Sequence, residues 1–113
     1  MNVVDDPDRC DFYVPAVLNR GNITVAVSTA GSSPALAGHI RDRIAEAVGP
    51  EYETLAGILG DLRDRIRREV PSDKRLQVYR AIIGSPVLLM LRAGRGQTEI
   101  MTEIDRCISS VSD

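Results

Sequence analysis

The chain has 113 residues, 14 Lys+Arg against 16 Asp+Glu, a net charge of −2 and 43% hydrophobic residues. That length holds one domain or one and a half small ones and excludes a complete dinucleotide-binding domain joined to a substrate domain, while the hydrophobic share excludes a disordered chain. The near-neutral balance excludes an extended phosphate-wrapping surface, so no nucleic-acid partner is expected.

The first residues, Met1 to Val4, open mid-element, and Asp5-Asp6-Pro7-Asp8 follows the apolar Val3-Val4 pair. Carboxylates at the carboxyl end of a strand can do general acid or base work in an α/β sheet, and the same residues also suit a plain turn. Two runs rich in β-branched and aromatic residues come next, Phe12 to Leu18 and Ile23 to Thr29, on either side of Asn19-Arg20-Gly21-Asn22. This pattern predicts a β-hairpin, and Pro15 requires the first strand to be an edge, to be bulged, or to begin after the proline.

Ser28 to Ser33 is a hydroxyl-rich turn, and Leu36, Ile40, Ile44 and Val48 then recur every four residues. The spacing predicts a helix with Ser33 as N-cap and Pro34 at its first position, stopped by Gly49-Pro50. A strand, small residues and a helix N-terminus in succession can hold an anion such as a phosphate or carboxylate; the same residues also make an ordinary cap.

A second helix carries Leu55, Ile58, Leu59, Leu62, Ile66 and Val70 on one stripe. Its Arg63 to Arg68 run is interspersed with acids and reads as a salt-bridge-laced face rather than a phosphate strip. Pro71-Ser72-Asp73 leads into a segment from Lys74 to Ile83, Gly84-Ser85-Pro86 restarts a short helix through Leu91, and Gly94-Arg95-Gly96 precedes a last helix built on Ile100, Ile104, Ile108 and Val111. The fold class expected is α+β, an N-terminal hairpin followed by four to five helices.

Cys10, Cys107 and His39 are too scattered for a local metal-ligand spacing, so no metal site is expected. The start has neither a basic nor an apolar targeting region, and no aliphatic run approaches the ~20 residues of a membrane span. The expectation is a cytoplasmic protein with reduced thiols and no membrane partner.

Taken together, Asn2-Val3-Val4-Asp5-Asp6-Pro7, Cys10-Asp11-Phe12-Tyr13-Val14-Pro15-Ala16, Arg20-Gly21 and the unbroken run from Ile23 to Ala37 resemble the siroheme synthase family. Within it the likeness is to precorrin-2 dehydrogenases, some of which are also sirohydrochlorin ferrochelatases. Ser85-Pro86-Val87-Leu88 through Gly94 is similar to the helical C-terminal part of single-function members.

The resemblance implies an NAD-binding Rossmann domain, a dimerisation segment and a helical domain. On that plan residues 1–10 are the end of the first, 11–49 the second and 50–113 the third. No G-x-G-x-x-G occurs in the chain, so this portion is expected to be unable to bind NAD, or to act, alone. The resemblance further implies a homodimer and a tetrapyrrole substrate, precorrin-2. It assigns catalysis and a transient part in metal insertion to Asp5, and substrate contacts to Asn2, Arg20, Ser28, Thr29, Gly31, Ser32 and Ser33. Ala30 stands where many members have glycine, the residue that takes positive φ freely. The rival reading is a non-catalytic helical dimerisation or interaction module.

Overall fold

The computed structural model describes residues 14–112. The chain divides into two compact units, the first ending at Gly49 and the second beginning at Pro50.

In the first unit, β1 (Ala16–Arg20) pairs antiparallel with β2 (Ile23–Val27), with Ala16 opposite Val27 and Arg20 opposite Ile23. The strand begins just after Pro15, whose missing N–H therefore removes no ladder bond. The turn is tighter than the sequence pattern suggests. Only Gly21 and Asn22 lie outside the ladder, and Gly21 sits at φ +62, the first central position of a two-residue hairpin that calls for glycine. Asn19 belongs to the strand instead, and its side-chain Oδ1 accepts a 3.2 Å hydrogen bond from the hydroxyl of its cross-strand partner Thr24.

α1 (Pro34–Ala47) packs on this hairpin. Ser33 caps it with an extended backbone, its side chain accepting from Leu36 N, and Pro34 occupies the first turn as expected. Burial in this unit is thin. Leu18 and Ala37 are its buried hydrophobic residues among those described, while Ile23, Val25, Val27, Ile40 and Ile44 stay half-buried and Val17 is 42% exposed.

The second unit is helical: α2 (Pro50–Glu69), a short 3-10 turn (Ser72–Lys74), α3 (Arg75–Gly84), α4 (Val87–Arg92) and α5 (Gln97–Ser112). Pro50, which ends the preceding helix in a sequence reading, also starts α2, since proline fits a first helical turn where no N–H partner is needed. The apolar stripes meet in one core of Leu55, Leu62, Ile66, Val70, Val78, Ile82, Val87, Ile100, Ile104, Cys107 and Ile108. Cys107 is a buried free thiol, 3.7 Å from the Ala81 carbonyl. The arginine-rich run of α2 is laced as expected, with Arg65 reaching Asp105 at 2.7 Å and Glu69 at 3.1 Å, and Arg67 reaching Asp64 at 3.9 Å.

Candidate functional site

The β2–α1 connection holds most of the sequence-derived site residues, and its conformation follows from their side chains. Thr29 through Ser32 form a reverse turn closed by a 3.0 Å bond from Ser32 N–H to the Thr29 carbonyl. Ala30 (φ +53) and Gly31 (φ +83), its two central residues, both have positive φ, the pattern of a type I′ turn. Gly31 adopts this freely, whereas at Ala30 the Cβ crowds the following carbonyl and costs roughly 1–2 kcal/mol. Alanine thus takes a left-handed conformation that glycine would take without strain.

Hydroxyls hold this turn in place. Thr29 Oγ1 accepts from Ser33 N–H at 3.0 Å and donates to the Ser33 carbonyl at 3.1 Å, a reciprocal pair across four residues. Ser28 Oγ accepts from Ala30 N–H at 3.1 Å, and Ser33 Oγ accepts from Leu36 N–H at 3.1 Å. Pro34 has no N–H to offer. Much of the hydrogen-bonding capacity that could meet an anion is therefore committed inside the loop, which makes it rigid. Ser28, Gly31 and Ser32 are nevertheless exposed, and the positive end of the α1 dipole lies directly behind them.

Arg20 is placed elsewhere. Its Nε donates to the Val48 carbonyl at 2.9 Å and its Nη2 to the Ala45 carbonyl at 3.3 Å, so the guanidinium caps the C-terminal end of α1 and answers the negative end of its dipole. A 14-residue helix is about 21 Å long. Arg20 and the Ser28–Ser33 loop thus flank opposite ends of one helix, and a single carboxylate cannot touch both. Asn2 and Asp5 lie outside the described residues. His39 is exposed, and Arg41 is engaged with its neighbour Asp42 at 3.0 Å.

Among the described residues no group of three His, Cys, Asp or Glu side chains could hold a metal ion. Among the described residues the β2–α1 turn does not fit a dinucleotide either. It lacks the G-x-G-x-x-G pattern, and it spends the Ser28, Thr29 and Ser33 hydroxyls and several of its N–H groups on itself. Nor is any helix among the described residues long and apolar enough to cross a membrane.

One polar pair escapes sequence reasoning. Glu51, in the first turn of α2, is only 8% exposed and accepts a 2.7 Å hydrogen bond from Arg92 at the end of α4. A separation of 41 residues leaves no local signal for this pairing, although an acid in a first helical turn is itself a recognisable preference.

Residues 20–47, which span the end of β1, β2, the loop and α1, match the family model described as Sirohaem biosynthesis protein central. Over 98 residues the chain is 39% identical to the siroheme synthase of Methylococcus capsulatus, covering 86% of this chain and 21% of that protein. It is 38% identical to the siroheme synthase of Nitrosomonas europaea over 98 residues, with the same shares covered. The siroheme synthase of Thioalkalivibrio sulfidiphilus is 35% identical over 96 residues, 84% of this chain and 20% of the relative. The chain therefore spans about a fifth of the length of the curated relatives it matches.

Proposed function

From a chain that belongs to the siroheme synthase family, with the family's central segment at residues 20–47, we propose a dimerising, substrate-facing part of an enzyme that converts precorrin-2 to sirohydrochlorin on the way to siroheme. The observation that carries this reading is the coincidence of the matched segment with a rigid, exposed, hydroxyl-lined loop at the N-terminus of α1. There the partial positive charge of the helix end suits the acetate and propionate groups on the rim of a tetrapyrrole. Gly31 and Ser32 are the exposed residues at this end, and Ser28, Thr29 and Ser33 fix its shape. Arg20 contributes indirectly, by holding the far end of the same helix. Asn2 is the further substrate contact.

In this proposal Asp5 is the general base. It removes a proton from the macrocycle as it is dehydrogenated, and the same carboxylate can take a pyrrole N–H proton ahead of iron entry in a member that also chelates. NAD would supply the hydride acceptor in the whole protein, bound by residues other than those present here.

Homodimerisation belongs to the same proposal. A two-stranded sheet has two open edges and is marginal alone, and the exposed Val17, on the face opposite buried Leu18, leaves apolar surface that a second copy would cover. Sedimentation at tens of micromolar should show a dimer, and a stable monomer would count against it. For the activity, Asp5→Ala in the full-length enzyme should abolish precorrin-2 turnover while leaving the thermal midpoint within a degree or two. Unchanged turnover would remove the general-base assignment.

A further inference from the structure

The helical unit carries an open groove of about 430 Å³ between α2 and α3, lined by Ala56, Leu59, Gly60, Arg63, Tyr79 and Ile83. On its α3 side Ile83 is 47% exposed and Leu76, one stripe further along, is 58% exposed, an unusual amount of bare aliphatic surface for one ten-residue helix. On its α2 side the wall is low, and a Cβ built on Gly60 meets nothing within 4 Å. The rim is cationic. Arg63 lines the groove, and Arg80 shares the exposed α3 stripe with Leu76, Tyr79 and Ile83. Among the described residues neither arginine forms an ion pair, although Arg65 and Arg67 beside them do. Of the acids of this stretch, Asp61 falls by helical spacing towards the outer side of α2, and Asp64, which flanks Gly60 one turn on, is engaged by Arg67 at 3.9 Å.

We propose that this groove is a binding site for a flat apolar polycarboxylate, which on the functional reading above, on which the inference rests, is the tetrapyrrole itself held at a second position on the helical unit. The chemistry is complementary on each count. An apolar floor meets the edge of the macrocycle, the Tyr79 ring offers an aromatic face with a hydroxyl at its tip, and two unpaired guanidinium groups meet peripheral carboxylates, for which their forked geometry is suited. Like charges on the rim disfavour a second copy of the same face.

The test titrates the intact chain with uroporphyrin, a fluorescent porphyrin bearing eight carboxylates, and maps the contact by NMR shifts. Saturable binding is expected, with shifts at Gly60, Tyr79 and Ile83 and weakening as salt rises. Arg63→Gln should weaken it about tenfold. Gly60→Leu puts a side chain into the groove at a helical position where an added Cβ meets no atom within 4 Å, so it should abolish the Tyr79 and Ile83 shifts while raising the thermal midpoint, which separates lost binding from lost folding. Shifts confined to residues 28–33 and insensitive to Gly60→Leu would overturn the groove site and leave the tetrapyrrole reading standing. Absence of any binding, or equal binding of a porphyrin bearing cationic groups, would also overturn it, the dehydrogenase reading then resting on the Asp5→Ala assay alone.

Discussion

Replacing Thr29 with valine keeps the shape of the side chain and deletes its hydroxyl, which isolates what holds the β2–α1 turn. Two hydrogen bonds are lost, from Ser33 N–H at 3.0 Å and to the Ser33 carbonyl at 3.1 Å. Their costs differ. The carbonyl keeps its bond from Ala37 N–H at 3.1 Å, so one lone pair stays satisfied, whereas the N–H loses its acceptor in a partly buried position. Counting about 1 kcal/mol for the orphaned donor and half of that for the carbonyl gives roughly 1.5 kcal/mol, close to a tenfold shift in the opening equilibrium of the first turn of α1. Native-state hydrogen exchange of the Leu36 and Ala37 amides should therefore speed up about tenfold in Thr29→Val and stay near wild type in Thr29→Ser, which keeps the hydroxyl. The double variant Thr29→Val, Ser33→Ala should fall short of the sum of the singles, because Ser33's side chain can cap only while its backbone is held. Exchange unchanged within twofold in Thr29→Val would mean that the type I′ turn is set by Ala30 and Gly31 alone.

Arg20→Ala should destabilise the first unit by about 1–2 kcal/mol, since it removes both donors to the end of α1, and Arg20→Lys should recover only part of this because an ammonium lacks the fork that reaches two carbonyls; circular dichroism during urea unfolding reads the difference. Ile104→Ala, at a side chain with no exposure, should cost 2–5 kcal/mol, and a loss below about 1 kcal/mol would show the core around α5 to be loosely packed. The Glu103 carboxyl, hydrogen-bonded by Arg106 one turn away, titrates below its ordinary value of 4.5. A carboxyl lowered in the folded state adds stability above its unfolded value and loses it as pH falls through the folded one, so carboxyl NMR should place the Glu103 midpoint below 4.5 and Arg106→Gln should return it upward.

What the residues disclose on their own depends on how far apart the partners lie. The α1 start is legible because cap, proline and apolar repeat all fall within the sixteen residues from Ser33 to Val48, and the bonds that shape Ser28–Ser33 span only two to four positions. The hairpin is legible as a hairpin but not in its turn, because Asn19 looks like a turn residue while its side chain in fact pairs with Thr24 on the open face of the sheet. Arg20 is opaque for another reason. Its acceptors are main-chain carbonyls 25 and 28 positions away, and carbonyls carry no sequence signature. The Arg63–Arg68 run discloses that it is laced with salt bridges, yet not which arginine goes unpaired, since Arg65 finds Asp105 only through the packing of α5. Ala30 is the informative departure: a residue that local preference would exclude from a left-handed position occupies it because the flanking hydroxyl bonds determine the turn.

Both ends of α1 are fastened to the hairpin, at one end through the Thr29 hydroxyl that follows β2 and at the other through the Arg20 guanidinium that closes β1. Sliding the helix along its axis by a single turn, about 5.4 Å, would break both fastenings at once, so the helix has no intermediate resting place on the sheet. The hairpin and the loop then behave as one ruler. If two copies meet through their sheets, the distance between their two loops is set by the chain itself and does not change with whatever either loop holds, which makes the paired assembly a gauge of ligand spacing rather than a jaw that adjusts to it.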